Sequence, residues 1–178
     1  MNSTTKQVTL CALFAALNAI LAQISIPIGP VPINLVHIST FVAAGLLGSK
    51  YGALSQFTYA LMGMVGLPVF SGFSGGLGVI VGPTGGYILA YIMAAYVSGL
   101  IMEHFGKKSV IVIFMAMYTG WIITYGFGTI WYSAITHTGF IPALMVCAVP
   151  FLFGDLFKTC FSVYMVKRLS PVFRRMEN

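Results

Sequence analysis

The chain has 178 residues, of which 58% are hydrophobic and 7% are charged. Soluble domains carry about 25% charged residues, so this composition excludes a soluble protein and indicates an integral membrane protein. The net charge of +6 could suggest nucleic acid, but the basic residues stand at the ends of apolar runs, which is a topological pattern. A spanning helix needs about 20 residues, which leaves room for five or six spans in one transmembrane domain, residues 1–178.

The first apolar run covers residues 8 to 26 and follows Lys6. A cleaved signal peptide is the competing interpretation, but its apolar segment is typically about 7 to 15 residues long, which disfavours it. Alanines in this run are spaced by four: Ala12 with Ala16, and Ala15 with Ala19. Small residues at this spacing let another helix approach closely. That helix can belong to the same chain or to a separate partner, and the spacing does not distinguish the two.

The second run covers residues 31 to 48, with Asn34 and His37 near its start. A single histidine near a helix end is more often a packing residue than a metal ligand. No second His or Cys stands at ligand spacing, so no metal site is predicted. The third run, residues 52 to 70, carries Gln56 and Tyr59 on one helix face. Polar groups within a span usually face the bundle interior, so we expect these two to line an internal cavity.

The segment from residue 71 to 87 is the least helical part of the sequence, because seven of its seventeen residues are glycine and one is proline. We expect an outer loop that lids a cavity, since irregular backbone at membrane depth must be covered by protein or line a site. A bound ligand can form hydrogen bonds with the N–H and C=O groups of this loop. The glycine runs do not indicate a phosphate loop, because no Gly-Lys-Ser/Thr follows them.

Three further runs cover residues 87 to 102, 110 to about 130, and 140 to 166, and Pro150 is expected to divide the last into a short outer segment and a final span. Trp121, Trp131 and Tyr132 are expected near a membrane interface. This gives six transmembrane helices in an all-α protein.

With both termini cytoplasmic, the inner side holds eight of the nine basic residues: Lys6, Lys50, Lys107, Lys108, Lys167, Arg168, Arg174 and Arg175. The outer connections carry no charge, as the positive-inside rule requires, and the basic tail can contact anionic membrane lipid.

The ninth basic residue, Lys158, stands three residues after Asp155 inside the last apolar run. A charge at the centre of a membrane helix costs about 2.5 to 3.5 kcal/mol on insertion scales, and the two side chains share one helix face. We expect either a polar ligand site or a structural ion pair. An acceptor beside a donor suits a neutral head group such as a urea or an amide, and Phe70, Tyr59 and Tyr87 could surround its apolar part.

Several motifs resemble those of the BioY family: residues 66 to 70 (Gly-Leu-Pro-Val-Phe), 72 to 76, 82 to 87, and 150 to 158 with its Gly-Asp-Leu-x-Lys core. The resemblance implies a six-helix protein of the cell membrane that binds biotin from outside. It also implies a partner T component and two cytoplasmic ATPases, without a cofactor.

The resemblance further implies ligand contact for Asp155, Lys158 and the glycine loop with Gly72, Gly75 and Gly76. Ala12 and Ala16 resemble the surface that meets the T component. The chain departs from the family pattern at residues 32 to 37, where Asn34 is a further candidate contact, and at Phe153, where many members have proline.

Three functional hypotheses remain open at this point. The first is a substrate-binding transporter subunit without enzymatic activity, and the second is the same scaffold with another vitamin as ligand. The third is a membrane enzyme, but no Ser-His-Asp set, metal cluster or carboxylate pair supports it. The chain has three acidic residues, and Glu103 and Glu177 are expected at the inner side. No ATP-binding motif is present, so energy for transport would have to come from partners.

Overall fold

The computed structural model describes residues 3–27, 29, 31–107 and 109–177. Lys108, Ile28 and Pro30 lie outside the described residues, as do the side chains of Arg174 and Arg175. The described part contains seven α-helices and a short 3₁₀ helix: α1 Ser3–Gln23, α2 Val36–Met64, α3 Leu77–Val81, α4 Gly85–Phe105, α5 Val110–Thr136, α6 Phe140–Cys147, the 3₁₀ helix Val149–Phe151, and α7 Leu152–Glu177. A small antiparallel ladder joins β1 Ser25–Ile26 to β2 Ile33–Asn34, with Ser25 opposite Asn34.

Four helical stretches of the described chain are long and apolar enough to cross a membrane: Thr4–Gln23, Gly85–Phe105, Val110–Thr136 and Phe140–Phe173. They correspond to the first, fourth, fifth and last predicted runs. The fifth extends beyond the predicted end near residue 130, because residues 131–136 contain no glycine or proline. It stops where His137 adopts the left-handed conformation, with φ of 54°, between the two predicted runs.

Helix α2 is a helical hairpin rather than one straight rod. Gly48 has φ of 84° and ψ of −175°, which is not helical, and it separates a first arm (residues 36–47) from a second arm (residues 49–64). The arms pack closely, since a Cβ added at Gly52 would lie 2.8 Å from the Cα of Ala44. These arms correspond to the second and third predicted runs. Glu103 closes the corner by accepting hydrogen bonds from the Ser49 amide at 2.7 Å and hydroxyl at 2.8 Å.

The core lies between the hairpin, α4 and α5, where Phe41, Met102, Ile113 and Met117 are fully buried. Lipid is as apolar as these side chains, so close packing rather than escape from water holds such helices together, and small residues favour it. A Cβ added at Gly99 of α4 would lie 2.6 Å from the Ser49 backbone. The hairpin and α4 can therefore approach closely, and together they form the rigid centre of the bundle.

The chain between the second arm of α2 and α4 is irregular, as predicted, but it is compact. Phe70 and Ser74 form an isolated antiparallel bridge, and the Gly76 amide donates to the Gly63 carbonyl at 2.7 Å. Gln23 at the end of α1 fastens this turn: it donates to the Phe70 carbonyl at 3.2 Å and accepts from the Phe73 amide at 2.9 Å. The five-residue helix α3 was not predicted. A loop tied in this way covers one end of the bundle.

The last apolar run is divided near Pro150, as the sequence predicted. Helix α6 ends at Cys147, Pro150 lies within the 3₁₀ helix Val149–Phe151, and α7 then begins at Leu152. This places Asp155 in the first turn of α7, four residues after the end of the 3₁₀ helix. The helix continues through Pro171 to Glu177. The charged pair lies level with the middle of α5, because Asp155 accepts a hydrogen bond from Tyr125 and the Lys158 ammonium lies 5.8 Å from the Trp121 ring.

Candidate functional site

Asp155 and Lys158 form a buried ion pair at the start of α7. The Lys158 Nζ atom lies 3.0 Å from Oδ1 of Asp155, and the two residues are 9% and 4% exposed. The second carboxylate oxygen accepts a hydrogen bond from the Tyr125 hydroxyl. Pairing offsets part of the penalty of removing two charges from water, and Tyr125 satisfies a further lone pair. The pair therefore has fixed geometry before any ligand is present.

A row of stacked rings forms the wall beside this pair. The His37 ring stacks on Trp121 with 3.8 Å between centroids, Trp121 stacks on Tyr125 at 5.4 Å, and Tyr125 is nearly parallel to Phe151 at 6.5 Å. The Lys158 ammonium lies 5.8 Å from the Trp121 centroid, within the range of a cation–π contact. The wall joins residues of α2, α5, α7 and the 3₁₀ helix between α6 and α7.

Thr159 locks the indole of Trp121 to α7. The Trp121 Nε1–H donates to the Thr159 hydroxyl at 2.9 Å, and that hydroxyl donates to the Asp155 carbonyl at 2.7 Å. Because each donor has a defined acceptor, the indole cannot rotate without breaking a buried hydrogen bond. The ring wall and the charged pair consequently form one rigid unit.

The ion pair and the ring wall border a first cavity of about 30 Å³. Its lining comprises residues 31–34 and the side chains of His37, Tyr87, Tyr91, Trp121, Tyr125, Cys147, Phe151, Asp155 and Lys158. Small-molecule sites in proteins combine apolar walls with a few polar groups. The lining of this cavity has that composition, with a carboxylate and an ammonium at one side and aromatic rings around them.

A second cavity of about 180 Å³ lies under the glycine-rich turn. Its lining includes Tyr59, Phe70, Ser71, Ser74 and Thr84. It adjoins the first cavity, because both are lined by Val31, Pro32, Asn34, Tyr87 and Tyr91. The charged groups of Asp155 and Lys158 therefore face the smaller cavity, and the larger space lies under the loop.

Most of the residues expected to bind a ligand meet at these cavities. Asp155 and Lys158 line the first, Tyr59 and Phe70 line the second, and Asn34 and Tyr87 line both. Asn34 is held in place by donating to the Ser71 hydroxyl at 3.0 Å and accepting from the Val36 amide at 3.2 Å. Tyr59 and Phe70 pack edge to face with 5.5 Å between centroids.

The glycines of the loop act through backbone shape. Gly72 and Gly76 have positive φ angles of 71° and 95°, and Gly75 packs directly on the Leu67 carbonyl, where a side chain would collide. None of the three is among the residues that line the two cavities, and the neighbouring serines Ser71 and Ser74 are. The loop therefore offers hydroxyl groups to the second cavity.

Gln56 is not brought to the described cavities. It is fully buried, and its Oε1 atom accepts from Asn18 at 2.6 Å and from Thr40 at 3.0 Å. Its Nε2 atom donates to the Ser55 hydroxyl at 3.1 Å. Gln56, which was expected to line a cavity, instead joins α1 to the helical hairpin.

The four alanines of α1 divide into two pairs. Ala12 and Ala16 are exposed on the outside of the bundle, whereas Ala15 is fully buried in the core and Ala19 packs against the same cluster. The spacing of four was thus repeated on two faces of the helix. One face serves internal packing and the other is open to a neighbour.

Several lining residues were missed by reading the sequence: Tyr91, Trp121, Tyr125 and Phe151. Trp121 was expected at a membrane interface, but it is 5% exposed and lies in the bundle. The prediction was wrong because α5 extends to Thr136, so that Trp121 stands fifteen residues before the end of the helix and well inside the span. The spacing of the aromatic residues could have indicated the ring wall, because Trp121 and Tyr125 stand four residues apart and share a helix face, as do Tyr87 and Tyr91.

The fold and the site together define a class: a multi-pass helical membrane protein with a cavity lined by a buried ion pair and stacked aromatic rings. The chain belongs to the BioY family, whose family model matches residues 1–175. The resemblance inferred from the sequence motifs is therefore confirmed.

Known proteins of this family cover nearly the whole chain. A biotin transporter of Thermotoga maritima is 40% identical over 168 residues, which are 94% of this chain and 97% of that protein. A probable biotin transporter of Pyrococcus horikoshii is 40% identical over 164 residues, covering 92% and 96%. The crystal structure of the S component for biotin from an ECF-type ABC transporter is similar with a TM-score of 0.88 and 31% identity, covering 95% of this chain and 94% of that one.

Proposed function

We propose that this protein is the substrate-capturing S subunit of an ECF-type ABC transporter and that it binds biotin. The observation that carries the proposal is the buried Asp155–Lys158 pair beside the Trp121 ring, at the border of a small cavity of about 30 Å³ that adjoins a larger one of about 180 Å³. Relatives at 40% identity are named biotin transporters, and a structural neighbour is an S component for biotin. These names support the choice of ligand.

Biotin matches the site chemically. Its cyclic urea presents N–H donors and a carbonyl acceptor, which suit the free lone pairs of Asp155 and the remaining ammonium protons of Lys158. Each charge-assisted hydrogen bond of this kind is worth about 1.5 to 3 kcal/mol. The apolar ring would pack on the aromatic wall, and the acyl chain would extend into the second cavity, where Asn34, Ser71 and Ser74 provide polar groups.

The proposed topology has six spans with both termini cytoplasmic and the cavities facing outward. The two arms of the helical hairpin, added to the four long apolar stretches, support the number of spans. The distribution of charge supports the orientation, because Lys50 and Lys107 stand on connections that alternate with uncharged ones. A single transmembrane domain, in contact with membrane lipid, is the corresponding organisation.

The proposed partners are a transmembrane T component and two cytoplasmic ATPases. We place the contact with the T component on α1, because Ala12 and Ala16 are exposed there and stand four residues apart. Small residues at this spacing allow a second helix to approach closely. Capture of a ligand without chemical change is the proposed activity, so no enzymatic step and no nucleic acid partner is assigned.

The test is a titration of purified protein in detergent with biotin, with thiamine as the comparison ligand. Saturable binding of biotin, and none of thiamine, is the expected result. Binding of thiamine in place of biotin would assign another vitamin to the same scaffold. Failure of both ligands to bind properly folded protein would contradict the proposed function.

A further inference from the structure

His37 contains a polar atom that the bundle leaves unsatisfied. The residue is 7% exposed and lines the first cavity. Within the part of the chain that the structure describes, its Nε2 atom is buried and has no hydrogen-bond partner. Buried polar atoms are nearly always hydrogen-bonded, so such an exception requires an explanation. The explanation must also fit a residue that borders the same cavity as Asp155 and Lys158.

The neighbouring polar groups of the cavity wall have their partners within the protein. Asp155 is bonded by Lys158 and Tyr125, and the Tyr87 hydroxyl lies 3.2 Å from that of Thr129. Asn34 uses both ends of its amide, as described above. His37 differs from these residues although it stands among them.

The imidazole ring is also held in one orientation. It stacks on Trp121 at 3.8 Å, meets the edge of Tyr91 at 4.8 Å, and lies 5.9 Å from Phe41. A ring clamped by three aromatic neighbours cannot turn freely to find another partner in the protein. The indole on which it stacks is also the one that lies 5.8 Å from the Lys158 ammonium. His37 and Lys158 therefore border the same part of the cavity.

We propose that His37 is a third polar contact for the bound ligand, in which its Nε2 atom forms a hydrogen bond with the cyclic urea beside Asp155 and Lys158. The inference rests on the proposed binding of biotin. An imidazole nitrogen can donate or accept, so it can bond an N–H or the carbonyl of the urea. A ring fixed in advance loses little freedom when the ligand binds, which favours affinity.

The test compares three variants of full-length protein in detergent. His37→Phe retains the stacked ring and removes the nitrogen, so affinity for biotin should fall about five- to tenfold, the range of one neutral hydrogen bond. His37→Gln places an amide nitrogen near the position of Nε2 and should bind within about twofold of wild type. The shorter His37→Asn does not reach that position, should fall like His37→Phe, and serves in its place if the bulkier ring prevents folding.

Two further measurements separate ligand contact from structure. Without ligand, the thermal midpoint of His37→Phe should equal or exceed that of wild type, because an unsatisfied buried atom has been removed. Dethiobiotin retains the urea and lacks the sulfur, so its affinity should fall by the same factor as that of biotin. A fall for biotin alone would contradict contact with the urea, and unchanged affinity of His37→Phe and His37→Asn would overturn the proposal. Absence of biotin binding by wild type would instead contradict the proposed function itself.

Discussion

Thr40 donates a hydrogen bond of 3.0 Å to the Oε1 atom of Gln56, although the two residues stand 16 positions apart. In one straight helix that separation would place them about 24 Å apart. The bond is possible because the chain reverses at Gly48. Asn18 of α1 donates to the same oxygen at 2.6 Å. One buried amide thus joins three helical segments, and the reversal on which it depends can be tested directly.

Replacing Gly48 by alanine should destabilise the protein by about 1 to 3 kcal/mol. The residue has φ of 84°, which strains any side chain, and an added Cβ would collide with the Glu103 carboxylate. Thermal unfolding in detergent measures the effect. Gly126→Ala is the matched control: a Cβ added there meets no other described atom within 4 Å, so this variant should be neutral or slightly more stable. Equal midpoints for the two variants would show that the reversal at Gly48 does not depend on glycine.

The ion pair can be separated from the scaffold with a double variant. Asp155→Asn alone leaves Lys158 as an unpaired buried charge, which typically destabilises by about 3 to 5 kcal/mol, so lost binding would be ambiguous. Adding Lys158→Met removes that charge, and the thermal midpoint should return to wild type or above. The folded double variant should bind no biotin in a titration. Unchanged affinity would mean that the pair is structural.

A second carboxylate provides the control for this experiment. Glu103 bonds Ser49 at the hairpin corner and is not among the residues that line the two cavities near Asp155. Glu103→Gln should therefore lower the thermal midpoint and leave the affinity for biotin unchanged. The opposite pattern would show that affinity simply follows overall stability.

The two faces of α1 should respond differently to bulky side chains. Ala12→Leu with Ala16→Leu changes exposed positions, so the isolated subunit should keep its stability and its biotin affinity. The same variant should lose assembly with the T component and ATPases in co-purification, because a close helix approach is blocked. Ala15→Leu overfills a fully buried position and should instead destabilise by about 1 to 3 kcal/mol. Normal assembly of the Ala12/Ala16 variant would remove this face from the interface.

Orientation can be measured by labelling whole cells with an impermeant thiol reagent, after the native cysteines have been replaced. Phe73→Cys in the glycine-rich loop should react, since this side chain is 72% exposed. Ser109→Cys, next to the basic cluster at the start of α5, should react only after the cells are opened. The reverse labelling would show that the protein has the opposite orientation, in which the cavities face the cytoplasm.

The charged pair, the irregular loop and the break near Pro150 were predictable because each is a local exception in an apolar sequence. A charge inside a span is costly enough to be conspicuous, and glycine or proline changes the backbone wherever it stands. Ser71 and Ser74 were not predicted as lining residues, because the glycines beside them carried the stronger signal.

The ring wall and the position of Gln56 depend on tertiary contacts, which explains why they could not be predicted. His37, Trp121 and Phe151 come from three parts of the chain, and in a sequence this apolar their periodicity does not separate the cavity from the core. Gln56 was a reasonable cavity candidate, but the approach of Asn18 and Thr40 decides its role. Local patterns specify which residues are polar within a span, whereas packing specifies what they meet.

The positions of the two tryptophans have an optical consequence. Trp121 lies in the wall on which a ligand would pack, while the Trp131 Nε1–H donates to the Gly82 carbonyl at 3.0 Å and so lies against the loop that covers the second cavity. Replacing either one by phenylalanine leaves a single tryptophan, whose emission can be excited selectively over that of the tyrosines. The emission of Trp121 would then follow occupancy of the cavity and that of Trp131 would follow movement of its lid, so both events can be timed in the unlabelled protein.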